Sequence, residues 1–218
     1  MSSKDQIIKM ITDMTGKYSA YNIFYDWCEC MTLSISNSIE VFHSKLWKSR
    51  EDTYKSIIRK YSLEEQKKFT EMFVWLGEAY EEKIEDVLGD IYMKSGCYSK
   101  QLGQFFTPYH LARMAAELGS GNIKEDEIHM IYEPSVGGGA NIIGLADVLR
   151  SRGINYQKCI KVVAQDLDWL AVYMSYVQFS LLGIDAIVVQ GDTLGNPYTG
   201  RSYPMERVFY TPKHKRAI

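Results

Sequence analysis

All five prolines of the 218-residue chain stand at position 108 or later, and this one-sided distribution constrains the fold more than any other feature. Proline inside a helix removes a hydrogen bond and clashes with the preceding turn. A long stretch without it can therefore be built from long helices. Up to about residue 95 there is no proline and little glycine, and apolar residues recur at helical spacing. Phe69, Met72, Phe73, Leu76 and Tyr80 fall on one helical face, while Lys67, Lys68, Glu81 and Glu82 take the solvent side. Ser62-Leu-Glu-Glu65 opens that segment as a capping box, with Ser62 at the N-cap and Glu65 as its partner. The same reasoning predicts helices near 3–15, 20–38, 40–60 and 84–94.

After residue 100 the period changes. Glycine becomes frequent and short β-like runs appear at 128–133, 159–164 and 186–190, with helical stretches between them at 140–152 and 168–183. Strand, helix, strand, helix, strand is the pattern of a parallel sheet with crossover helices. The near-continuous apolar run Ile160-Lys-Val-Val-Ala164 suits a sheet covered on both faces. The expected architecture is a helical region over 1–95, then an α/β domain over 96–218. Met174, Tyr176, Phe179 and Leu182 read as core residues of the second crossover helix.

Composition removes several classes. Hydrophobic residues at 46% and charged residues at 24% exclude disorder and collagen-like chains. A net charge of −2 excludes a strongly basic nucleic-acid glue, so any nucleic-acid contact must come from a local patch. No apolar run approaches the roughly 20 residues of a membrane span, and polar residues occupy the place of a signal-peptide core. Cys28, Cys30, Cys97 and Cys159 form no paired metal or disulfide framework. They are expected as free thiols in a reducing cytoplasm, with no metal bound.

The stretch that carries chemistry is Tyr132-Glu-Pro-Ser-Val-Gly-Gly-Gly-Ala140, between a predicted strand and a predicted helix. Glycines there let a ligand approach the backbone, and the helix start offers free N–H groups. A tight βα turn with no ligand fits the glycines as well. Two later strands end in Gln165-Asp-Leu-Asp168 and Gly191-Asp-Thr-Leu194. Acids thus stand at three successive strand ends, the edge where open α/β sheets bind ligands. Singly, each could be a helix cap or a solvated loop residue. Asp168 is placed as the cap of the helix that follows.

In this order the motifs resemble those of the N6-adenine DNA methylases, especially the methylation subunits of type I restriction–modification systems. Gly103-Gln-Phe-Phe-Thr-Pro-Tyr-His110 looks like the family's segment ahead of the first strand. Glu133-Pro-Ser-Val-Gly-Gly-Gly139 looks like its Asp-Pro-Ala-Cys-Gly-Ser-Gly. Gln165-Asp-Leu-Asp168 and Gly191-Asp-Thr-Leu194 resemble its ribose-binding and adenine-binding strand ends, and Asp86-Val-Leu-Gly-Asp-Ile-Tyr-Met93 also looks family-like. The resemblance implies a Rossmann-like methyltransferase domain that binds S-adenosylmethionine (SAM). It places Thr107, with backbone near Phe106 and Pro108, at the methionine carboxylate. Glu133, Pro134, Gly137 and Gly139 surround the methionine part. Asp166, followed by Leu167, takes the ribose hydroxyls, and Asp192, followed by Thr193, takes the adenine amine. Phe105 and Phe106 either line this pocket or pack a helix on the sheet. His110 reads as a helix-surface residue and His129 as structural.

Methyl transfer to adenine N6 needs a second set of groups. The exocyclic amine is a weak nucleophile, and the base must be extruded at a cost of a few kcal/mol. By resemblance this work belongs to an Asn/Asp-Pro-Pro-aromatic motif after a fourth strand. The candidate strand is Met205–Phe209, but Tyr210-Thr-Pro-Lys213 follows it, with no Asn or Asp and no second proline. Asn196-Pro-Tyr198 has the right residue types at the wrong spacing and also reads as a plain turn. No catalytic residue is assigned. About 120 residues remain after the helical region, for a fold that usually needs nearly twice that. The cofactor half is therefore expected without the catalytic half.

The function implied is SAM-dependent DNA adenine-N6 methylation, or a subunit or fragment of such an enzyme in a restriction–modification system, acting on DNA with a separate recognition subunit. The alternative is a catalytically inactive SAM-binding regulatory or assembly protein of the same ancestry. The N-terminal helices could serve a protein partner or self-association. Residues 201–218 hold five basic residues against Glu206 alone, and could touch phosphates or form a solvated terminus. A Rossmann oxidoreductase fits least, since its G-x-G-x-x-G is absent from the turn.

Overall fold

The computed structural model describes residues 1–97, 106–200 and 203–216. The chain forms two compact units: Met1–Lys83 with Val87–Phe105, and Ile84–Asp86 with Phe106–Ile218.

The first unit is helical. It contains α1 (Ser3–Asp13), α2 (Ala20–Ser38), α3 (Lys45–Ile58), α4 (Leu63–Glu82) and α5 (Val87–Lys94). Serines set the starts of the first four helices: Ser2, Ser19, Ser44 and Ser62 each accept a backbone N–H from the first turn. The capping box at Ser62 forms in both directions, with Ser62 N–H donating to Glu65 (2.7 Å) and Glu65 N–H donating to Ser62 Oγ (3.3 Å). The 40–60 segment enters helix only at Lys45, because Ser44 supplies the cap. Phe69, Met72, Leu76 and Tyr80 are buried. Phe73 is half-buried and lines an apolar groove of about 680 Å³ with Trp27, Met31, Tyr54, Ile58 and Phe69.

The second unit is an α/β layer structure. In order it has α6 (Tyr109–Gly119), β1 (His129–Glu133), α7 (Ala140–Ser151), α8 (Tyr156–Cys159), β2 (Ile160–Asp166), α9 (Trp169–Leu181), β3 (Asp185–Gln190), β4 (Val208–Tyr210) and α10 (Pro212–Arg216). The sheet order is β1-β2-β3-β4. The first three strands are parallel, in a register that sets Glu133 beside Ala164 and Asp166 beside Gln190. Right-handed crossovers that march in one direction put their helices on one face. That face carries Val162, Ala164, Ala186 and Val188, all buried. Helix α9 lies on it, with Trp169, Tyr173 and Tyr176 against the ring of Phe209. Ten of the thirteen α9 residues are buried, the pattern of a helix enclosed on all sides. Met174, Tyr176, Phe179 and Leu182 are among the core residues, as read from the sequence.

Two features differ from the sequence reading. Helix α6 has no core-facing stripe to announce it: only Ala112 is buried. It lies close on α7, where a Cβ on Gly144 would stand 3.0 Å from the Arg113 backbone N, and polar contacts add to this packing. Tyr109 Oη donates to the Ile84 carbonyl and to Asp147 (both 2.9 Å), and Arg113 Nε donates to Asp147 (2.8 Å). The segment 205–209 is not one strand, because Met205–Arg207 form a 3₁₀ turn and β4 begins at Val208. Strand β4 is also antiparallel to β3, with Val189 opposite Val208 and Ile187 opposite Tyr210.

Candidate functional site

The site grows from the turn between β1 and α7. Gly137 (φ +54°) and Gly139 (φ +99°) occupy the left-handed region that disfavours a side chain. Space forbids one as well. A Cβ on Gly139 would stand 2.7 Å from the Phe179 ring, and one on Gly137 would stand 3.1 Å from the Phe106 ring. Gly139 ends the turn as the left-handed N-cap of α7. From behind, Gln178 of α9 holds the turn, its Nε2 donating to the Gly138 carbonyl (2.6 Å) and to Asp86 Oδ1 (2.8 Å).

The acids meet this turn at the carboxyl edge of the sheet. Gly137 N–H donates to Asp166 Oδ2 (2.8 Å), and Asp168 N–H donates to Asp166 Oδ1 (3.0 Å). Asp168 itself caps α9, accepting from Ala171 N–H at 3.3 Å. Glu133 at the end of β1 accepts from Asn141 Nδ2 (3.2 Å) and from Ser135 N–H (3.4 Å). Thr193 Oγ1 donates to the Pro134 carbonyl (2.6 Å), which ties the turn after β3 to the turn after β1. Asp192 is exposed. Its Oδ1 accepts from Leu194 N–H (3.0 Å), and Oδ2 has no hydrogen-bond partner among the described residues. The Leu167 carbonyl accepts from Gln190 Nε2 at 2.7 Å, while its side chain is exposed.

Ahead of α6, Phe106 reaches the glycine turn and Pro108 caps the helix, its carbonyl accepting from Leu111 and Ala112 N–H. Thr107 is exposed and makes no side-chain hydrogen bond among the described residues. His110 is exposed on α6, and His129 accepts from Lys124 N–H through Nε2. Phe105 lies outside the described residues. The structure therefore brings together Phe106, Glu133, Pro134, Gly137, Gly139, Asp166 and Thr193. It leaves Thr107, Leu167 and Asp192 at the surface around them.

The expected location for a catalytic motif after Met205–Phe209 is corrected by the direction of β4. Because β4 runs antiparallel, the residues after it emerge at the opposite edge from the glycine turn. There Thr211 N–H donates to the Ala186 carbonyl and Thr211 Oγ1 donates to the Ile184 carbonyl, at the start of β3. Thr211-Pro-Lys213 therefore leads away from the glycine turn. Asn196-Pro-Tyr198 does lie at the glycine-turn edge. Gln165 Nε2 donates to the Asn196 carbonyl (3.1 Å), and Tyr198 N–H donates to Gln165 Oε1 (2.9 Å). Asn196 N–H donates to the Asp192 carbonyl, closing a turn. Burial pushes the Tyr198 phenol up to about 12, with a hydrogen bond to Tyr210 adding to the effect.

With this geometry in hand, the family described as N-6 DNA methylase matches residues 76–217, which span the whole site. The chain belongs to the N-6 DNA methylase family. Among solved structures it is similar to a protein of Listeria monocytogenes assigned to the class I S-adenosylmethionine-dependent methyltransferases. The TM-score is 0.52 at 16% identity, and the match covers 89% of this chain and 55% of that one. It also matches the type I restriction-modification system methyltransferase subunit of Streptococcus thermophilus. There the TM-score is 0.47 at 13% identity, covering 93% of this chain and 61% of that one. No curated protein matches. The Listeria likeness establishes a Rossmann-like fold, and the chain spans about half of that relative's length.

Three residues of the site were missed from sequence. Gln178 is the one long polar side chain in the run Trp169–Leu181, and it is fully buried. A buried amide needs a partner, so its isolation among apolar neighbours was the available signal. Asp86 is buried beneath the same turn; the sequence showed its motif but not its place. Gln165 is fully buried and gathers Tyr132, Asn196, Tyr198 and Tyr203, which its position just before Asp166 only hinted at.

Proposed function

We propose that this chain binds S-adenosylmethionine as part of a DNA adenine-N6 methyltransferase of the restriction–modification type. The observation that carries this reading is the Asp166 carboxylate, fixed between the glycine turn and the end of β2 by two backbone N–H groups. The donor set fits the ligand. Each carboxylate oxygen has two lone pairs, so both Asp166 oxygens retain an acceptor site for the ribose diol. Oδ2 of Asp192, without a hydrogen-bond partner among the described residues, suits the adenine amine. Glu133 would meet the methionine amino group and Thr107 its carboxylate, while Phe106 walls the turn. Bound SAM would supply an electrophilic methyl group. The chain's residues would hold and orient it, which is where much of the rate of such transfers arises.

Calorimetry with SAM tests the cofactor reading; the affinity expected is micromolar, about −7 to −8 kcal/mol. Transfer of labelled methyl from SAM to adenine-containing duplexes, with and without a recognition subunit, tests the activity. No binding would end the first claim, and no transfer under any condition would end the second. DNA, a separate recognition subunit and a cytoplasmic setting belong to the same proposal.

One observation favours the second reading, a SAM-binding regulatory or assembly protein without catalysis. The residues after β4 stand at the wrong edge of the sheet, and no Asn/Asp-Pro-Pro-aromatic motif occurs in the sequence. SAM binding with no methyl transfer is its signature.

A further inference from the structure

The helical unit holds a pocket that the cofactor reading does not use. Tyr18, Tyr21 and Tyr25 crowd together where α2 begins, and spacings of three and four bring them to one side of the chain. All three are half-buried. With Asn22, Asp26 and Lys60 they line a cavity of about 390 Å³. The Tyr21 and Tyr25 rings lie 6.1 Å apart, and Tyr18 lies 5.2 Å from Tyr61. Buried Asp26 forms the floor. Its Oδ2 accepts from Tyr61 Oη (2.9 Å), and Lys60 Nζ donates to Oδ2 (3.1 Å) and to Oδ1 (3.2 Å). Lys17 stands at the rim, its Nζ 4.9 Å from the centre of the Tyr18 ring and donating to the Lys60 carbonyl at 3.1 Å.

The lining narrows the class of ligand. Among the described residues no aliphatic side chain contributes to it, so a lipid chain has little to pack on. Asp26 is the one carboxylate of that lining and is already paired, so a divalent cation finds too few oxygens. Lys17 and Lys60 outnumber Asp26, which leaves the site positive and repels the ammonium ligand that an aromatic cage would otherwise suit. A bare phosphate would make no use of the phenol rings. What remains is a flat heteroaromatic ring that carries an anion.

We propose that this pocket binds a nucleoside 5′-phosphate unit with an amine-bearing base. The base stacks on the tyrosine rings, a contact that every base can make through its π-face. Oδ1 of Asp26 accepts only from Lys60 among the described residues, and a carboxylate oxygen has more than one lone pair, so it receives the exocyclic amine. The exposed Asn22 carboxamide offers a donor and an acceptor to the rest of the base edge. Lys17 keeps N–H donors beyond its bond to the Lys60 carbonyl. The first turn of α2, which starts at Ala20, adds backbone N–H groups without intrahelical partners. Both suit the phosphate. The same unit comes from a free mononucleotide or from an unpaired position in a single strand. The assignment lies wholly in the helical unit and holds whether or not SAM binds at Asp166.

The test uses the full chain with AMP, GMP and CMP as their 5′-monophosphates, read by saturation-transfer NMR and calorimetry. Saturable binding of at least one is expected, with Kd between about 10 μM and 1 mM. Tyr21→Leu and Tyr25→Leu should each weaken it by roughly tenfold or more, the scale of one lost stack. Tyr25→Phe, which keeps the ring, should stay within about twofold of wild type, and melting curves should show all three variants folded. Lys17→Gln and removal of the phosphate from the ligand should each weaken binding by roughly fivefold, with no further loss when combined. Asp166→Ala should bind these nucleotides as wild type does, which separates this pocket from the SAM site. A short single-stranded oligoadenylate that competes more tightly than AMP identifies the strand as the source, and weaker competition identifies the free nucleotide. No saturable binding, binding lost in Asp166→Ala but kept in Tyr25→Leu, or equal losses in Tyr25→Phe and Tyr25→Leu overturns the proposal.

Discussion

The backbone N–H of Gly137 donates to Asp166 Oδ2 at 2.8 Å. One carboxylate at the end of β2 thus fixes the turn that follows β1, and the same carboxylate faces the ligand edge. If Asp166 takes the ribose diol as proposed, position 166 couples folding to binding. Among the described residues the Asp192 side chain accepts only from Leu194 within its own turn, so position 192 fixes no other element.

Asp166→Ala should weaken SAM binding by about 1–3 kcal/mol, roughly ten- to a hundredfold, through loss of hydrogen bonds to a charged acceptor. It should also lower stability, because the Gly137 amide loses its partner. Asp192→Ala should weaken binding with little change in the urea midpoint. Equal SAM affinity in Asp166→Ala and wild type, measured by calorimetry, would sink the ribose assignment.

Gly139→Ala should destabilise the chain by roughly 2–4 kcal/mol, combining left-handed strain with overpacking against Phe179. Gly153 has a similar φ of +78° with nothing near its missing side chain. Gly153→Ala should therefore cost only about 1–2 kcal/mol, the strain alone. Urea unfolding of the two variants measures the difference, and equal losses would show that Phe179 yields freely.

How much of this was readable in advance depends on where the signal sits. Helix α4 was legible because its cap and its apolar stripe are local, and Ser62, Glu65, Met72 and Leu76 carry both. The parallel strands were legible because Ile160–Ala164 and Ala186–Gln190 are short apolar runs bounded by turns. The direction of β4 was not, because a three-residue strand has no period and its partner is chosen by Phe209 packing on α9. Helix α6 showed only as the helix that carries His110, because its polar anchor is the Tyr109–Asp147–Arg113 cluster, whose members lie 34 and 38 positions apart. At the site, the glycines and the acids showed in order. Gln165 and Gln178 did not, since a glutamine declares its partners only once the strands and helices are placed.

In the helical unit, Asp90 accepts from Lys4 (2.8 Å) and Lys94 (2.8 Å). Burial pushes its carboxyl up, but the two lysine contacts outweigh that and hold it below the ordinary 3.8. A depressed carboxyl stabilises the fold above its unfolded value, and the contribution disappears as pH falls through the folded value. Asp90→Asn should therefore lose about 0.5–1 kcal/mol at pH 7, the scale of partly exposed ion pairs. The gap to wild type should begin to narrow only as pH falls below about 3.8, and close once pH is below the folded value. Urea midpoints at pH 7, 4 and 3 check this; a constant gap would mean the lysines contribute packing rather than charge.

Gln165→Leu keeps the volume of the side chain and removes its four contacts: Tyr132 Oη and Tyr198 N–H donating to Oε1, and Nε2 donating to the Asn196 carbonyl and Tyr203 Oη. Loss of partners for these groups should cost about 1–3 kcal/mol. The informative readout is the Tyr198 phenol, which burial and Tyr210 push up to about 12. If Gln165 is what holds Asn196 and Tyr198 against the sheet, its loss lets water reach Tyr198. The desolvation that raises the phenol then weakens, so its pKa must fall, toward the ordinary value near 10. A spectrophotometric difference titration of mutant against wild type should show one phenol ionising at lower pH, together with weaker SAM binding as Thr193 loses its hold on Pro134. An unchanged phenol titration would place the anchor of the segment elsewhere, at Asn196 N–H and the Asp192 carbonyl.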